Sequence, residues 1–186
     1  PETITSSLLY PAFDDTDGLF ADSVEKRLGY PMVVKEAYGS FGAQVYLAKN
    51  RSELDALRNR LKYMPHLYQR YVKNSSGEDI RIIVVGGKAV AAMKRKNKGD
   101  FRANIELGGV GEKYIPSSEQ VELSERICRL LGADYIGVDL LFDKDKTLLC
   151  EVNTNAHFMF ISDCTGVDVA ELYIGHVMEE IYGRAD

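Results

Sequence analysis

Three oxygen-bearing side chains, Asp139, Glu151 and Asn153, have the types and spacing to hold a divalent cation. Residues two apart on a strand project from the same face, so Glu151 and Asn153 point together if residues 148–153 are extended. A connecting turn with an odd number of residues, for example Lys144 to Lys146, would set Asp139 directly opposite Glu151. Adjacent carboxylates repel unless a cation neutralises them, and hard oxygen donors that leave room for water and phosphate suit Mg2+ or Mn2+. The same pattern also arises as an ordinary polar sheet face, so its company decides.

That company is basic and glycine-rich. Lys35 alternates out of the apolar run Met32-Val33-Val34 just before the loop containing Gly39, Ser40, Phe41 and Gly42. Glycines let backbone N–H groups approach phosphate oxygens closely, and a lysine beside them adds a compact positive charge. The segment is neither a Walker A motif nor GxGxxG, and alone it would pass for a turn. Asp79 and Arg81 are again two apart, with Arg95 on the partner strand and Arg102 and Asn104 in the polar loop beyond it. Arginine forks recognise carboxylates and phosphates bidentately and stabilise charge developing on a transferring phosphoryl group. A solvated charged sheet face is the plainer alternative for Arg81 and Arg95.

The elements that position these residues follow from periodicity and turn chemistry. Ala21 to Leu28 reads as a short helix ended by Gly29-Tyr30-Pro31, and Met32 to Glu36 with Val45 to Ala48 as a hairpin. Ser52 to Tyr63 reads as a helix with Ser52 as its cap and Leu54, Leu57 and Leu61 on one face. Leu67 to Val72 is a strand, and Asp79 to Val85 with Lys88 to Arg95 forms a hairpin around Gly86-Gly87. A polar stretch follows from Lys96 to Pro116, then a helix from Ser117 to Leu131. Tyr135 to Phe142 and Leu148 to Asn153 make a third hairpin, and Val167 to Tyr182 a last helix. About eight strands, joined mainly by hairpins, and four helices imply an α+β fold with largely antiparallel sheets. Two lobes are expected, residues 24–68 and 69–186, with a ligand cleft between them and residues 1–23 as a linker.

Composition narrows the classes of function. The 186 residues are 45% hydrophobic and 27% charged, with a net charge of -5, and the basic run Lys94-Arg95-Lys96 is short. Nucleic acid is therefore an unfavoured partner. The apolar runs are too short to span a bilayer and no signal peptide is visible, so no membrane partner is expected and the cytoplasm fits best. Cys128, Cys150 and Cys164 lack metal or redox spacing and read as buried or free thiols. The opening residues, which lack Met, read like a cut inside a longer protein.

In order, PMVVKEAYGSFGAQV, LYQRYV, GEDIRIIVVGGKAVAAMKR, GDFRANIELGG, YIGVDLLF and CEVNTN resemble the successive motifs of the ATP-grasp superfamily. GDFRAN points to the RimK-type branch, whose members ligate glutamate or related amino acids to a carboxyl terminus. The resemblance covers residues 24–182 and implies a two-lobed fold with ATP and Mg2+ (or Mn2+) as cofactors. It implies that Lys35 and the Gly39–Gly42 loop bind phosphates, that Gln69, Arg70 and Tyr71 form the hinge that reads adenine, and that Asp79 contacts the ribose. Arg102 and Asn104 match a nucleotide-contacting pair, and Asp139, Glu151 and Asn153 match the metal ligands. The implied reaction transfers the γ-phosphate to a carboxylate, and an amine then attacks the acyl phosphate. Arg81, Arg95 and Arg102 would stabilise charge, with no catalytic Cys or His.

Implied partners are an amino acid, a carboxylate acceptor that is a small molecule, peptide or protein C-terminus, and an N-terminal domain absent from this chain. The resemblance also allows a homo-oligomer, since relatives are often dimers or tetramers, but the sequence itself does not give the oligomeric state. Arg70 stands where many relatives carry an acidic residue, and Asn155-Ala156-His157-Phe158 replaces a smaller sequence after the metal-binding Asn. A nucleotide-binding module without catalysis and a small-molecule kinase on the same fold are the competing functions.

Overall fold

The structure is a computed structural model that describes residues 1–6 and 18–183. Residues 7–17 of the expected linker lie outside the described residues. The described residues form two compact units, Pro1–Lys73 and Asn74–Asp186, and the α+β class with antiparallel sheets is as expected.

In the first unit, strands β1 (Thr3–Thr5), β2 (Met32–Glu36), β3 (Val45–Ala48) and β4 (His66–Arg70) form a sheet ordered β1-β4-β2-β3. Helices α1 (Leu19–Leu28) and α2 (Arg51–Arg60) bury Ala21, Val24, Leu28 and Leu54 with Met32, Val34 and Tyr68 of the sheet. The cap of α2 differs from expectation. Asn50, not Ser52, is extended and accepts from Glu53 N at 3.0 Å, while Glu53 Oε2 accepts from Lys49 N at 2.9 Å. That reciprocal pairing satisfies two N–H groups at once, which is why the helix starts there. β4 lies between β1 and β2, so Gln69 and Arg70 fall in the first unit and not at the start of the second.

In the second unit, β5 (Glu78–Val85), β6 (Lys88–Lys96), β7 (Val110–Lys113), β8 (Tyr135–Asp143) and β9 (Lys146–Asn153) form an antiparallel sheet ordered β7-β6-β5-β8-β9. One face, with Ile80, Ile82, Val84, Val138 and Leu140, packs on Cys128 of α3 (Ser118–Leu131). Ser117 caps α3 through a capping box with Gln120. The other face buries Ile83, Val85, Ala91 and Met93 against Ile161 of α4 (Met159–Thr165) and Val169 of α5 (Val169–Tyr182).

β1, β7 and α4 were not anticipated. β1 has three residues, β7 is an edge strand with Val110 exposed, and α4 has seven residues, so none is long enough to display a period.

Two hairpins fix the register that matters. Val85 pairs with Lys88 across Gly86-Gly87, and Asp143 pairs with Lys146 across Lys144-Asp145, so both turns have two residues. Gly86, Gly87 and Lys144 all have positive φ, as primed hairpin turns require. Each ladder then shifts by one residue, leaving Val90 and Cys150 as extra residues in their strands. The odd residue expected in the β8–β9 turn is therefore a bulge within β9.

The exit from β9 folds back tightly on β8. Tyr135 Oη donates to Ala156 O at 2.6 Å, and a Cβ on Gly137 would lie 2.4 Å from Ala156 Cβ. Overpacking of this kind destabilises by about 1–3 kcal/mol. Gly137→Ala should lower the unfolding free energy measured by urea denaturation by that amount, and adding Ala156→Gly should restore most of the loss.

Candidate active site

The polar end of the β5–β6–β8–β9 face holds a connected set of ion pairs. Asp79 is opposite Arg95, Arg81 opposite Asp139, and Asp139 opposite Glu151. Arg81 Nε and Nη2 donate to Asp139 Oδ1 and Oδ2, both at 2.7 Å. Arg95 Nε and Nη2 donate to the two oxygens of Asp79 at 2.6 Å, and Nη2 also reaches Asp139 Oδ2 at 2.8 Å. Arg95, Asp79 and Asp139 are 2%, 8% and 4% exposed, so these charges are compensated by one another and not by water.

Burial opposes ionisation of Asp139, but Arg95 and Arg81 outweigh it and hold this carboxyl well below the usual carboxylate range. Burial pushes Asp79 upward against the pull of Arg95, with the neighbouring charge of Asp139 adding to the push. Arg95, facing both carboxylates, is held more firmly protonated than a free arginine in spite of its burial.

Glu151 is exposed, and Asn153 sits two residues further along the same face, where its Oδ1 accepts from Asn155 N at 2.8 Å. Both parities depend on the bulges. Without the shift at Val90, Lys94 would face Asp79, and without that at Cys150, Cys150 would face Asp139.

The loop after β6 is fixed against the start of β5. Gly77 has φ 70, its N donates to Phe101 O at 2.8 Å, and a Cβ there would lie 2.3 Å from Asn97 O. Arg102 Nε and Nη2 donate to Asp100 at 2.9 and 2.7 Å, and these bonds hold the Asp100 carboxyl below its ordinary range. Asp100 had not been singled out, although its place two residues before Arg102 was a visible signal. The Asn104 carbonyl accepts from Leu107 N and Gly109 N, both at 3.2 Å.

A family model described as the RimK-like ATP-grasp domain matches residues 7–177. The chain belongs to the RimK-like ATP-grasp family. It is 37% identical over 160 residues to beta-citrylglutamate synthase B of Danio rerio, covering 84% of this chain and 40% of that protein. It is 35% identical over 160 residues to N-acetylaspartylglutamate synthase A of Homo sapiens, covering 84% and 41% respectively. The chain therefore spans about two fifths of the length of these relatives. Its fold matches the ATP-grasp ligase PsnB complexed with minimal precursor, Mg and ADP, at a TM-score of 0.71 and 22% identity, covering 96% of this chain and 53% of that one.

The other residues expected to bind nucleotide in this ATP-grasp chain lie in the first unit. Lys35 is on β2, paired with Val45 and Leu67. The Gly39–Gly42 loop is shaped by Gln44, whose Oε1 accepts from Ser40 N at 3.1 Å, and by left-handed φ at Phe41 (56) and Gly42 (72). Gln69 is buried and donates to Thr3 Oγ1 at 3.1 Å. Arg70 donates to Glu2 and to Arg27 O, so its side chain is tied within its own unit. Tyr71 follows the end of β4.

The donor set at the second unit's polar end fits a hard cation. A carboxylate has about four acceptor positions, and arginine bonds fill three on Asp139. Glu151 and the second lone pair of Asn153 Oδ1 add oxygen donors. Among the described residues no group of three or more His, Cys, Asp and Glu side chains could hold a metal, so a cation held here would need the Asn153 amide beside the two carboxylates.

Arg95→Met should strand Asp79 as a buried carboxylate, leave Asp139 to Arg81 alone, and reduce the stability of the second unit by about 3–5 kcal/mol. Arg95→Lys should recover only part of this loss, because one ammonium cannot reproduce the fork across both acids. Chemical denaturation followed by circular dichroism reads both.

Proposed function

We propose that, within its parent protein, this chain binds ATP with Mg2+ or Mn2+ and forms an amide bond through an acyl phosphate, with glutamate or a related amino acid as the amine. The observation that carries the reading is the shared face of Asp139, Glu151 and Asn153, with Asp139 and Glu151 directly opposite each other. Family membership supports the ATP-dependent chemistry, and the names of the two relatives share a glutamate-containing product.

In this reading Asp139, Glu151 and Asn153 hold the cation, which when bound supplies charge neutralisation to the phosphoryl group. Lys35 and the backbone of the Gly39–Gly42 loop bind phosphates, backbone groups from Gln69 to Tyr71 bind adenine, and Arg102 with Asn104 contact the nucleotide. Because the carboxylate of Asp79 is committed to Arg95, we assign it to positioning that arginine in place of the ribose contact. The carboxylate acceptor, a further domain of the parent and a homo-oligomeric state belong to the same proposal. No helix among the described residues is long and apolar enough to cross a membrane.

Calorimetric titration with a non-hydrolysable ATP analogue, with and without Mg2+, tests the site. Mg2+-dependent binding should be present in the native chain and at least about tenfold weaker after Glu151→Ala with Asn153→Ala, as loss of two oxygen donors implies. Binding unaffected by the double substitution in a folded variant would refute the metal assignment. With the full-length parent, an amide product that requires glutamate supports ligation, and a stable phosphorylated product would mark a kinase.

A further inference from the structure

Asp139 is a cation ligand already shared with two other cations. Three of its acceptor positions take N–H groups from Arg81 and Arg95 at 2.7–2.8 Å, which leaves one for a metal. With each group ionised, Asp79 and Asp139 balance Arg81 and Arg95, and Glu151 leaves the whole set one negative charge. That is a weak attraction for a dication in a site where two guanidiniums sit at hydrogen-bond distance from its central ligand. A polyphosphate changes the balance, because its negative charge is drawn to the cation and to the arginines alike.

The two arginines are not equivalent. Arg95 is buried with both acids around it and joins three strands, so its charge is matched locally. Arg81 directs its fork at Asp139, with 13% of its side chain exposed. We propose that Arg81 makes cation binding at Asp139 conditional on a polyphosphate, keeping the affinity for metal alone low until a triphosphate supplies compensating charge. The proposal rests on the assignment of Asp139, Glu151 and Asn153 as the metal site, and it makes Arg81 a positioning residue that couples two ligands.

Mn2+ binding measured by electron paramagnetic resonance on this chain, with and without a non-hydrolysable ATP analogue, tests it without an activity assay. In the native chain the analogue should tighten Mn2+ binding by about tenfold or more. Arg81→Gln should tighten Mn2+ binding in the absence of the analogue by a similar factor and shrink the coupling, whereas Arg81→Lys, which keeps the charge, should stay near native. Adding Asp79→Asn to Arg81→Gln restores the net charge of the set and should return the affinity for Mn2+ alone toward native, which a purely structural role for Arg81 would not do.

Equal Mn2+ affinity with and without the analogue in the native chain would overturn the proposal, and that comparison needs no variant to fold. An Arg81→Gln variant with unchanged affinity for Mn2+ alone would do the same. Mn2+ binding that is absent even with the analogue would remove the metal assignment itself, and the proposal with it.

Discussion

The second unit is organised around the contact of Arg95 with two buried aspartates. A guanidinium removed from water is tolerable only where its N–H groups are met by acceptors and its charge by carboxylates, and Arg95 has both in Asp79 and Asp139. That requirement brings β6, β5 and β8 into one register at their polar ends. The apolar residues on the same face, Ile83, Met93 and Ile161 among them, support the network from one side, while the other sheet face is closed by α3. Arg81, Arg95, Asp79 and Asp139 are therefore held in place by one another, much as the side chains of a core are.

Rigidity matters because the proposed chemistry uses position more than covalent participation. A carboxylate that accepts the fork of Arg81 and one further N–H from Arg95 has its plane fixed before any ligand arrives, so little ordering is left for the moment of binding. Glu151 differs, being exposed at the next strand. The proposed cation site thus combines one immobilised carboxylate, Asp139, with an exposed one, Glu151, and Asn153 is partly fixed by its bond to Asn155 N.

Much of this was legible in the sequence, for identifiable reasons. β2, β5 and β8 carry apolar runs interrupted by charged residues, among them Lys35, Asp79, Arg81 and Asp139, and Asp79 and Arg81, two apart, share the β5 face that meets Arg95 and Asp139. The odd parity between Asp139 and Glu151 was also readable, but the odd residue is Cys150 within a strand and not part of the turn. No local pattern marks a bulge, because the residue is an ordinary strand former whose role is defined by its partner strand. The same holds for the pairing of Arg95 with Asp79, which rests on Val90. Arg70 was read as a hinge residue, and its bond to Glu2 joins positions too distant in sequence for periodicity to connect. α4 and β7 were invisible because elements of seven and four residues complete too few repeats to show a period.

The bulges at Val90 and Cys150 also bear on descent. A regular ladder with a two-residue turn and no extra residue would still set an arginine across from Asp79 and a glutamate across from Asp139, provided that the residue lost was the bulged one. Single-residue deletions at these two positions therefore preserve which side chains meet, and change mainly the local twist of the strand. A deletion of Val152 would instead carry Asn153 to the opposite face. Within two otherwise constrained hairpins, chain length can drift at two points without dismantling what they align.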